Sequence, residues 1–550
     1  MLSLNTRFPR QAGGFHPMLL ASLVVAFLVG VPIVGVLSNL LVGGADGAAA
    51  STMAHLWNTV LPEYLFNSFA ITAIVAVLGS IIGVGCAWLV SAFDFPGKRM
   101  FQWALVLPLA MPSYVVAYAY TDFLQFSGPV QSGLRAMFGW EPHAYWFPQI
   151  RSVGGAGVLF ALVLYPYIYL LARNAFLERS PRMLDAARTL GVGPWRAFFT
   201  VSLPLARPAA AAGIALALME TLADYGAVAY FGVPTLTTGI YKSWYAFSDR
   251  TAAAQIAAVL LITVTVLMLL EQKSRGRARY YAAGGRSSGQ LTRPLPGRAG
   301  WLAALCCAVP VLTGFLLPLL ILVRLIVRED TLAISTRYLS LVQNSVTLGG
   351  VTALLAVLIC ILLAYAARVS RSRLQAACNR IVTMGYAVPG AVIAVGILIP
   401  LSRLDNWASA QGLPFLLAGS LVALIYAYLV RFLAVSYHGV HAGLAKITPA
   451  MDASARSLGH GLGSMLLRVH APLLWRSVLT GGLLVFVDVI KELPATLTIR
   501  PFNFDTLAVI THQLASDERL GEAALPALTI VLIATIPVII LARAIAKGDR

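Results

Sequence analysis

Charged side chains stand at two places inside otherwise apolar segments of this chain of 550 residues. Glu220 and Asp224 lie four residues apart, so they share one face if their segment is helical. Asp488, Lys491 and Glu492 form the corresponding group in the second half of the sequence. A charge placed in lipid costs about 2.5–3.5 kcal/mol on insertion scales, so such groups should face a bundle interior or a water-filled path. They either line a translocation path or form an ion-paired network, in which Lys491 binds Asp488 or Glu492.

Both carboxylate and tyrosine hydroxyl oxygens in these apolar segments are candidate lining groups of a translocation path. Carboxylate oxygens suit hard cations such as ferric iron, but two acids on one helix do not make a cation site. Tyrosine hydroxyls occur in two neighbouring apolar segments, where tyrosines more often serve packing or anchor a span at the membrane interface. These tyrosines are Tyr114, Tyr118 and Tyr120, followed by Tyr165, Tyr167 and Tyr169.

The elements that position these residues must be membrane-spanning helices. Hydrophobic residues make up 59% of the chain and charged residues 11%, whereas a soluble protein has about 25% charged residues. In lipid the backbone must satisfy its own hydrogen bonds, and a helix needs about 20 apolar residues to cross. We therefore expect an all-α polytopic protein in membrane lipid, with about twelve transmembrane helices. The predicted spans are 17–42, 66–93, 102–124 (bent near 107–112), 154–177, 206–230, 253–271, 302–327, 343–367, 379–402, 415–437, 476–497 and 523–544.

The net charge of +18 comes from basic residues that cluster in short loops, a pattern that marks the cytoplasmic side of a membrane protein. The clusters fall on one side of the predicted spans, which places both termini in the cytoplasm. No basic face with interleaved aromatic residues occurs outside those loops, so nucleic-acid binding is not expected. The opposite loops carry charges that could dock a substrate-delivery protein, although a solvated loop is the default. These are Asp249 and Arg250, and Asp517, Glu518 and Arg519.

The chain repeats itself over about half its length. Asn67 and Asn344 each open a predicted span, and Pro112 and Pro389, inside the spans that follow, have the same separation in sequence. Six spans in each half give two parallel six-helix repeats, because inverted repeats need an odd number. The predicted units are a first module at 1–271, a basic cytoplasmic linker at 272–299 that is flexible in composition, and a second module at 300–550.

A short motif occurs once in each half, between two spans. The first copy has its glycine at Gly191 and the second at Gly459, and a proline follows each glycine at the same distance. A glycine at this position can take the left-handed conformation that ends a helix. We predict two short helices joined at that glycine, within about 181–203 and 448–471, which present small and apolar side chains to a partner.

The motif resembles the cytoplasmic coupling motif of the permease subunits of bacterial ATP-binding-cassette importers, which reads Glu-Ala-Ala, three residues, Gly, nine residues, Ile, one residue, Leu-Pro. In the first copy Asp185 stands for the Glu. In the second copy Ala453 replaces the acid, and Asp452, one residue earlier, is a candidate substitute for it. The resemblance implies that both segments dock on an ATPase and pass its closure to the spans. The coupling residues that it implies are Asp185, Ala186, Ala187, Gly191, Leu203, Pro204, Asp452, Ala455, Gly459 and Pro472.

A permease with both halves fused is similar to the ferric-iron importers of Gram-negative bacteria, and this resemblance covers nearly the whole chain. It implies a multi-pass protein of the bacterial inner membrane that works with two copies of a cytoplasmic ATPase and one periplasmic substrate-binding protein. The cargo that it implies is ferric iron, with thiamine, sulfate or a phosphonate as alternatives.

The sequence has no Gly-x-x-x-x-Gly-Lys-Ser/Thr loop that would hold a nucleotide phosphate. We therefore expect no catalytic residues and no cofactor bound by this chain, with ATP used by a separate subunit. The five cysteines form no Cys-x-x-Cys pair, so a cysteine metal site is not expected. Two other classes remain as alternatives. One is an ion-coupled secondary transporter with Glu220, Asp224 and Asp488 as ion sites, and the other is a membrane enzyme that uses those acids on lipid-linked substrates.

Overall fold

The computed structural model describes residues 17–42, 48–142, 144–177, 193–275, 293–331, 334–370, 372–413 and 416–548. This part of the chain is almost entirely helical, as the composition predicts. Eleven of its helices are long and apolar enough to cross a membrane. A bent pair, Lys98–Ala110 and Ser113–Phe138, meets at 91° and gives twelve crossings if it counts as one. The bend falls where it was expected, before a proline.

The helices of the first half are α1 (Pro17–Val42), α2 (Ala48–Thr59), α3 (Leu61–Ala92), α4 (Lys98–Ala104), α5 (Ser113–Leu124), α6 (Pro129–Phe138), α7 (Val153–Leu177), α8 (Pro194–Ala197), α9 (Leu203–Ala223), α10 (Gly226–Tyr230), α11 (Leu236–Tyr241) and α12 (Arg250–Arg275). Those of the second half are α13 (Arg298–Val311), α14 (Leu317–Glu329), α15 (Thr336–Val369), α16 (Arg373–Met384), α17 (Gly390–Ala410), α18 (Leu421–Ala445), α19 (Pro449–Ser457), α20 (Leu462–Met465), α21 (Ala471–Ile490), α22 (Pro494–Ile499), α23 (Leu507–Ser516) and α24 (Leu520–Gly548). Two short strands, β1 (Phe93–Asp94) and β2 (Arg293–Pro294), pair in parallel where the linker rejoins the bundle.

Three predicted spans are interrupted besides the bent one at 102–124. The span predicted at 379–402 breaks between α16 and α17. The spans predicted at 206–230 and 476–497 end earlier, with α9 and α21, and the short helices α10 and α22 follow after a break. Asp224 and Glu492 stand at these breaks, where their carboxylates accept backbone N–H groups of the short helices. Hydropathy averaged over a whole span does not reveal such a break, because apolar residues flank the charged residues on both sides.

Several helices of the two halves begin at matching positions. Helices α7 and α18 begin at Val153 and Leu421, and α9 and α21 begin with the same separation in sequence, at Leu203 and Ala471. A π-helical turn comes directly before α9 and before α21. Because the proline at the second position of each helix lacks the N–H group that a regular α-helical turn needs, the helix widens at this point.

The repeated Asn-Ser pairs near the start of the second span tie down a distant loop in each half. The Asn67 amide donates to the Pro234 carbonyl at 2.9 Å, and the Asn344 amide donates to the Asp505 carbonyl at 3.1 Å. The serine after each asparagine accepts the backbone N–H of the first residue of α11 or of α23. The sequence repeat therefore reflects a repeated set of hydrogen bonds.

The hydrophobic cores do not follow the division of the chain at the linker. Helix α1 belongs to the first half, yet it packs on α16 and α17 of the second half. The span formed by α13 and α14 belongs to the second half, yet it packs on α5 as well as on α24. Each of the two large cores mixes side chains of both halves. The units predicted at 1–271 and 300–550 are thus repeats of sequence whose packing is interleaved.

Candidate functional site

The five charged residues expected at membrane depth surround one cavity of about 90 Å³ between the two halves. Helices α9 and α21 deliver them in matching positions, because Glu220 and Asp488 have the same separation in sequence as the starts of these helices, and so do Asp224 and Glu492. Arg431 of α18 joins them in the wall. The wall thus carries four carboxylates and two cations, so acidic groups outnumber basic ones.

Asp224 stands at the break between α9 and α10 and caps the short helix. Its Oδ1 accepts the Ala227 backbone N–H at 2.9 Å, and the Ser113 hydroxyl donates to its Oδ2. The Thr237 hydroxyl donates to the Asp224 backbone carbonyl at 2.7 Å. Hydrogen bonds from three separate elements therefore fix this residue at the cavity wall.

Glu492 caps α22 in the same way and is more deeply buried. Its Oε1 accepts the Ala495 backbone N–H at 2.8 Å. Its Oε2 accepts the Thr496 backbone N–H at 3.0 Å and the Thr496 hydroxyl at 2.6 Å. The sequence signal for both caps is an acid three residues before a helical N–H, the arrangement that satisfies the free donors of a helix start.

Arg431 is the residue of this site that sequence reasoning missed. Its Nη1 donates to Glu492 Oε1 at 3.2 Å, and its Nη2 lies 3.5 Å from Glu220 Oε2. Gly390 makes room for this contact, because a Cβ at that position would lie 2.7 Å from both Arg431 Nη1 and Glu492 Oε1. A lone arginine inside the span predicted at 415–437 is the signal that would have found it, by the same burial cost as for the acids.

Lys491 pairs with Asp488, one of the two partners considered for it. The Nζ atom lies 2.9 Å from Asp488 Oδ1, one helical turn back. The ion pairs of the network interpretation are thus present, but they line a cavity, so the assignment of these residues to a translocation path stays a prediction. In the described part of the chain, no three His, Cys, Asp or Glu side chains gather closely enough to hold a metal ion.

Some of the tyrosines in the two apolar segments pack in the core, and others line the cavity. Tyr165 and Tyr169 are fully buried among apolar side chains, as the packing interpretation predicts. The Tyr118 hydroxyl is hydrogen-bonded to His512 Nδ1 of the second half at 2.7 Å. Tyr114 and Tyr167 line the cavity. The Tyr114 side chain is 3% exposed, and its hydroxyl has no hydrogen-bond partner within the described residues.

The second coupling segment has the helix–turn–helix form that was predicted. Helix α19 is followed by Gly459, whose φ of 82° is the left-handed conformation expected there. The His460 N–H closes the turn on the Ala455 carbonyl at 3.1 Å. Ala455 itself faces inward and packs with Tyr365 and Met465. Its small side chain therefore lets the helices of this chain, rather than a partner, approach closely.

Asp452 also faces inward, and its geometry does not support the idea that it meets a partner in place of the acid of the motif. Arg368 Nε donates to Asp452 Oδ2 at 2.9 Å, and His470 Nε2 donates to Oδ1 at 2.9 Å. Burial acts to raise the pKa of Asp452, but the hydrogen bonds from Arg368 and His470 outweigh it and hold the pKa below its ordinary value. This carboxylate fastens α19 to the spans on either side.

The surface that the second coupling segment leaves free is apolar. Leu458 is 79% exposed and Leu467 is 72% exposed. Met451 and Pro472 are also exposed. These side chains are the part of the predicted coupling segment that a partner could contact.

The first coupling segment is described only from Gly193 onward. Leu203 and Pro204 begin α9, directly after the π-helical turn. Beneath that turn, Phe198 packs on Trp88 with 5.1 Å between ring centroids. The four other residues of its predicted motif lie outside the described residues: Asp185, Ala186, Ala187 and Gly191.

Comparison with known proteins decides the family. The family model for the binding-protein-dependent transport system inner membrane component matches residues 79–274. The molybdenum transport system permease protein ModB of Escherichia coli is 31% identical over 217 residues, which are 39% of this chain and 89% of that protein. The chain belongs to this family. It is the membrane permease of an ATP-binding-cassette transporter, and this family assignment supports neither the secondary transporter nor the membrane enzyme considered above.

Two other relatives extend over both halves of the permease. The Fe(3+)-transport system permease protein FbpB 2 of Haemophilus influenzae is 24% identical over 534 residues, which are 96% of this chain and 98% of that protein. The ferric transport system permease protein FbpB of Actinobacillus pleuropneumoniae is 20% identical over 492 residues, which are 86% of this chain and 70% of that protein. The fused two-module architecture predicted for this permease is consistent with these matches.

The permease has a second, larger cleft of about 860 Å³. Asp517 and Arg519, from one of the two loops considered for docking, line it together with Arg337. The other loop behaves differently, because Asp249 accepts the backbone N–H groups of the first turns of α12. Of the two loops, the one at Asp517 therefore opens on a space that another molecule could enter.

Proposed function

We propose that this permease imports ferric iron across the bacterial inner membrane. The observation that carries the proposal is the similarity along both halves to the Fe(3+)-transport system permease protein of Haemophilus influenzae. One periplasmic substrate-binding protein delivers the cargo, and two copies of a separate cytoplasmic ATPase drive the transport. The permease itself binds no cofactor, and ATP is hydrolysed by the partner subunit.

The charge of the cavity supports a cationic cargo. Four carboxylates and two cations line it, and ferric iron prefers hard oxygen ligands. An oxyanion in the same place would meet more acids than bases. Like charges about 4 Å apart repel by about 1 kcal/mol even in water, and by more where the effective dielectric constant is lower.

The coupling geometry supports a transfer of force from the ATPase to the cavity. In the proposed orientation both termini and both coupling segments face the cytoplasm, where Leu458 and Leu467 contact the ATPase. Because Asp452 fastens α19 to α15 and to the start of α21, a displacement of α19 is passed to those spans. The far end of α21 carries Asp488 and leads to Glu492 at the cavity.

The cleft beside Asp517 supports docking of the binding protein on the opposite side. Charged side chains of both signs line it, including the Arg519–Glu522 ion pair with 2.8 Å between Nε and Oε1. Exposed ion pairs of this kind contribute little to folding, about 0.2–1 kcal/mol, so they can exchange partners at small cost.

The test is uptake in proteoliposomes that contain the permease with its ATPase and its binding protein. With the binding protein loaded with ferric iron, we expect iron to accumulate in the lumen only when ATP is hydrolysed, as measured by elemental analysis. The same vesicles should accumulate no molybdate or sulfate. Oxyanion uptake without iron uptake would reject ferric iron as the cargo. Uptake driven by an ion gradient without ATP would reject the proposal that an ATPase drives transport.

Molybdate is the second candidate, because ModB shows the higher identity, 31%, over its shared segment. That similarity covers 39% of this chain, and the acidic cavity opposes an oxyanion. Sulfate, thiamine and a phosphonate, which the sequence left open, are tested by the same vesicles with the corresponding loaded binding proteins.

A further inference from the structure

The four acids of the cavity fall into two pairs: one pair caps helices and the other forms ion pairs. Asp224 and Glu492 are committed to capping α10 and α22. Glu220 and Asp488 occupy equivalent positions one turn earlier, and in the described structure they face cations: Glu220 lies 3.5 Å from Arg431, and Asp488 lies 2.9 Å from Lys491. Their contacts can therefore exchange without unwinding a helix.

Both cations come from the second half of the chain. The positions equivalent to Arg431 and Lys491 in the first half are Val163 and Ala223, which line the same cavity. The repeat therefore duplicates the acids and leaves the bases single. Arg431 reaches across the boundary between the halves, since Glu220 belongs to the first half and Glu492 to the second.

An independent observation shows polar groups of this cavity without a partner. The Tyr114 hydroxyl and Arg431 Nε are buried and have no hydrogen-bond partner within the described residues. Buried polar groups in proteins are nearly always hydrogen-bonded to protein or to ordered water. Both side chains line the cavity. Water in the cavity would satisfy Arg431 Nε, and water or a cation would satisfy the Tyr114 hydroxyl.

We propose that this cavity is a station for a multivalent metal cation and that Arg431 is a built-in competitor that occupies it between transport events. The cation is held by the charges of Glu220 and Asp488, by water, and by the Tyr114 hydroxyl, while Arg431 withdraws from Glu220. Holding the cation through charge and water suits a transporter, because the cargo must leave again. The inference rests on the proposed import of ferric iron and adds to it the residues that receive the cargo.

The test uses terbium(III), a hard trivalent cation whose luminescence is excited through nearby tyrosine rings. It is titrated into the intact permease–ATPase complex in lipid nanodiscs. Removal of the competitor in Arg431→Met should lower the Kd for terbium about tenfold. Loss of a carboxylate charge in Glu220→Gln or in Asp488→Asn should raise the Kd by about the same factor.

A matched control removes another ion pair that joins the two halves. Arg324 lies 3.7 Å from Asp122, and neither lines the cavity, so Arg324→Met should leave the terbium affinity unchanged. Affinity that is unchanged in both acid variants overturns the proposal, as does weaker binding in Arg431→Met. Should Arg431→Met fail to assemble, the acid variants decide together with Arg431→Lys, which keeps the competing charge and should bind terbium as the wild type does.

Iron uptake by the same preparations separates this inference from the proposed function. If ATP-driven iron uptake is normal but terbium affinity is unchanged in Glu220→Gln and Asp488→Asn, the cation station is rejected and the proposed import of iron stands. Absence of ATP-driven iron uptake by the wild-type complex rejects the function itself.

Discussion

In the part of the chain that the structure describes, the coupling segments of the two halves contact the spans through different kinds of side chain. In the first half, Phe198 of the π-helical turn packs on Trp88, an apolar contact. In the second half, Asp452 of α19 is bound by Arg368 and His470. The π-helical turn and the proline that follows it are the same in both halves.

The positions behind this difference are equivalent in the repeat. Tyr365 is the counterpart of Trp88 in the second span of each half, and His470 is the counterpart of Ser202 at the end of each π-helical turn. Tyr365 contacts the His470 ring, with 5.6 Å between ring centroids. The duplicated backbone therefore keeps its turns while the side chains that secure it change. In the described residues, the second attachment combines a hydrogen-bonded carboxylate with apolar packing around Tyr365 and Met465. The part of the first attachment that the structure describes, from Gly193 onward, packs through Phe198 on Trp88.

The largest effect is expected from removing that carboxylate. Asp452→Ala leaves the buried His470 without this partner, whereas the half-buried Arg368 keeps its hydrogen bonds to the Leu444 and Ile447 carbonyls. Breaking a buried ion pair on one side costs about 3–5 kcal/mol, so we expect a loss of about 3 kcal/mol here. We expect α19 to lose its hydrogen-exchange protection and ATP hydrolysis to continue with little iron uptake. Ser454→Ala changes an exposed residue of the same helix and should alter neither. Full coupling in Asp452→Ala would show that the attachment does not transmit force.

A smaller effect is expected where the halves differ at the cavity. Gly390 is the equivalent of Ser113, and a side chain on Gly390 would collide with Arg431 and Glu492. Gly390→Val should cost about 1–3 kcal/mol as an overpacked site and should strongly reduce iron uptake in proteoliposomes.

The matched variant lies in the other half. Ser113→Ala removes one hydrogen bond to Asp224, which is worth about 1 kcal/mol, so most of the uptake should remain. Equal losses in Ser113→Ala and Gly390→Val would mean that the two halves line the cavity in the same way.

The turn of the second coupling segment gives the next smaller effect. Gly459 has a φ of 82° and open space where a Cβ would lie, and Gly461 has the same open space without a positive φ. Gly459→Ala should therefore lower stability by about 1–2 kcal/mol, the cost of a left-handed residue with a Cβ. Gly461→Ala should be near neutral. Thermal unfolding of the two variants measures the difference, and equal midpoints would exclude strain at Gly459 as the reason for its glycine.

The sequence predicted the elements of this permease better than their contacts. Hydropathy and the fixed offsets of the repeat predicted most of the spans and the helix–turn–helix form of the second coupling segment, but not the breaks before α10 and α22. They could not show that α1 packs on the opposite half, because a lipid-facing helix is apolar whichever neighbour it has. They also could not pair Arg431 with Glu220, since nothing local links two residues so far apart in the chain.

The direction of Asp452 shows how a small shift misleads a motif comparison. In the family motif the acid falls at the position of Ala453. Because an α-helix has about 3.6 residues per turn, a displacement of one residue turns a side chain by roughly 100°. Asp452 therefore points into the bundle while Ala453 is exposed. An acid one residue away from the motif position therefore makes contacts different from those of the motif acid.

The smallest effect is expected from lowering the pH to 5, which should leave α19 as stable as at pH 7 because the pKa of Asp452 is lowered rather than raised. The pKa of Asp452 is held below its ordinary value by the hydrogen bonds from Arg368 and His470, which outweigh burial. Its contribution to stability is therefore complete above the ordinary Asp pKa of about 3.9 and is lost only as the pH falls through the lower, folded value. Hydrogen exchange of α19, corrected for the intrinsic effect of pH, should show the same protection at pH 7 and pH 5. Asp452→Asn has no group to titrate there, so its protection should be low at every pH, and loss of protection in the wild type between pH 7 and pH 5 would mean that another group secures α19.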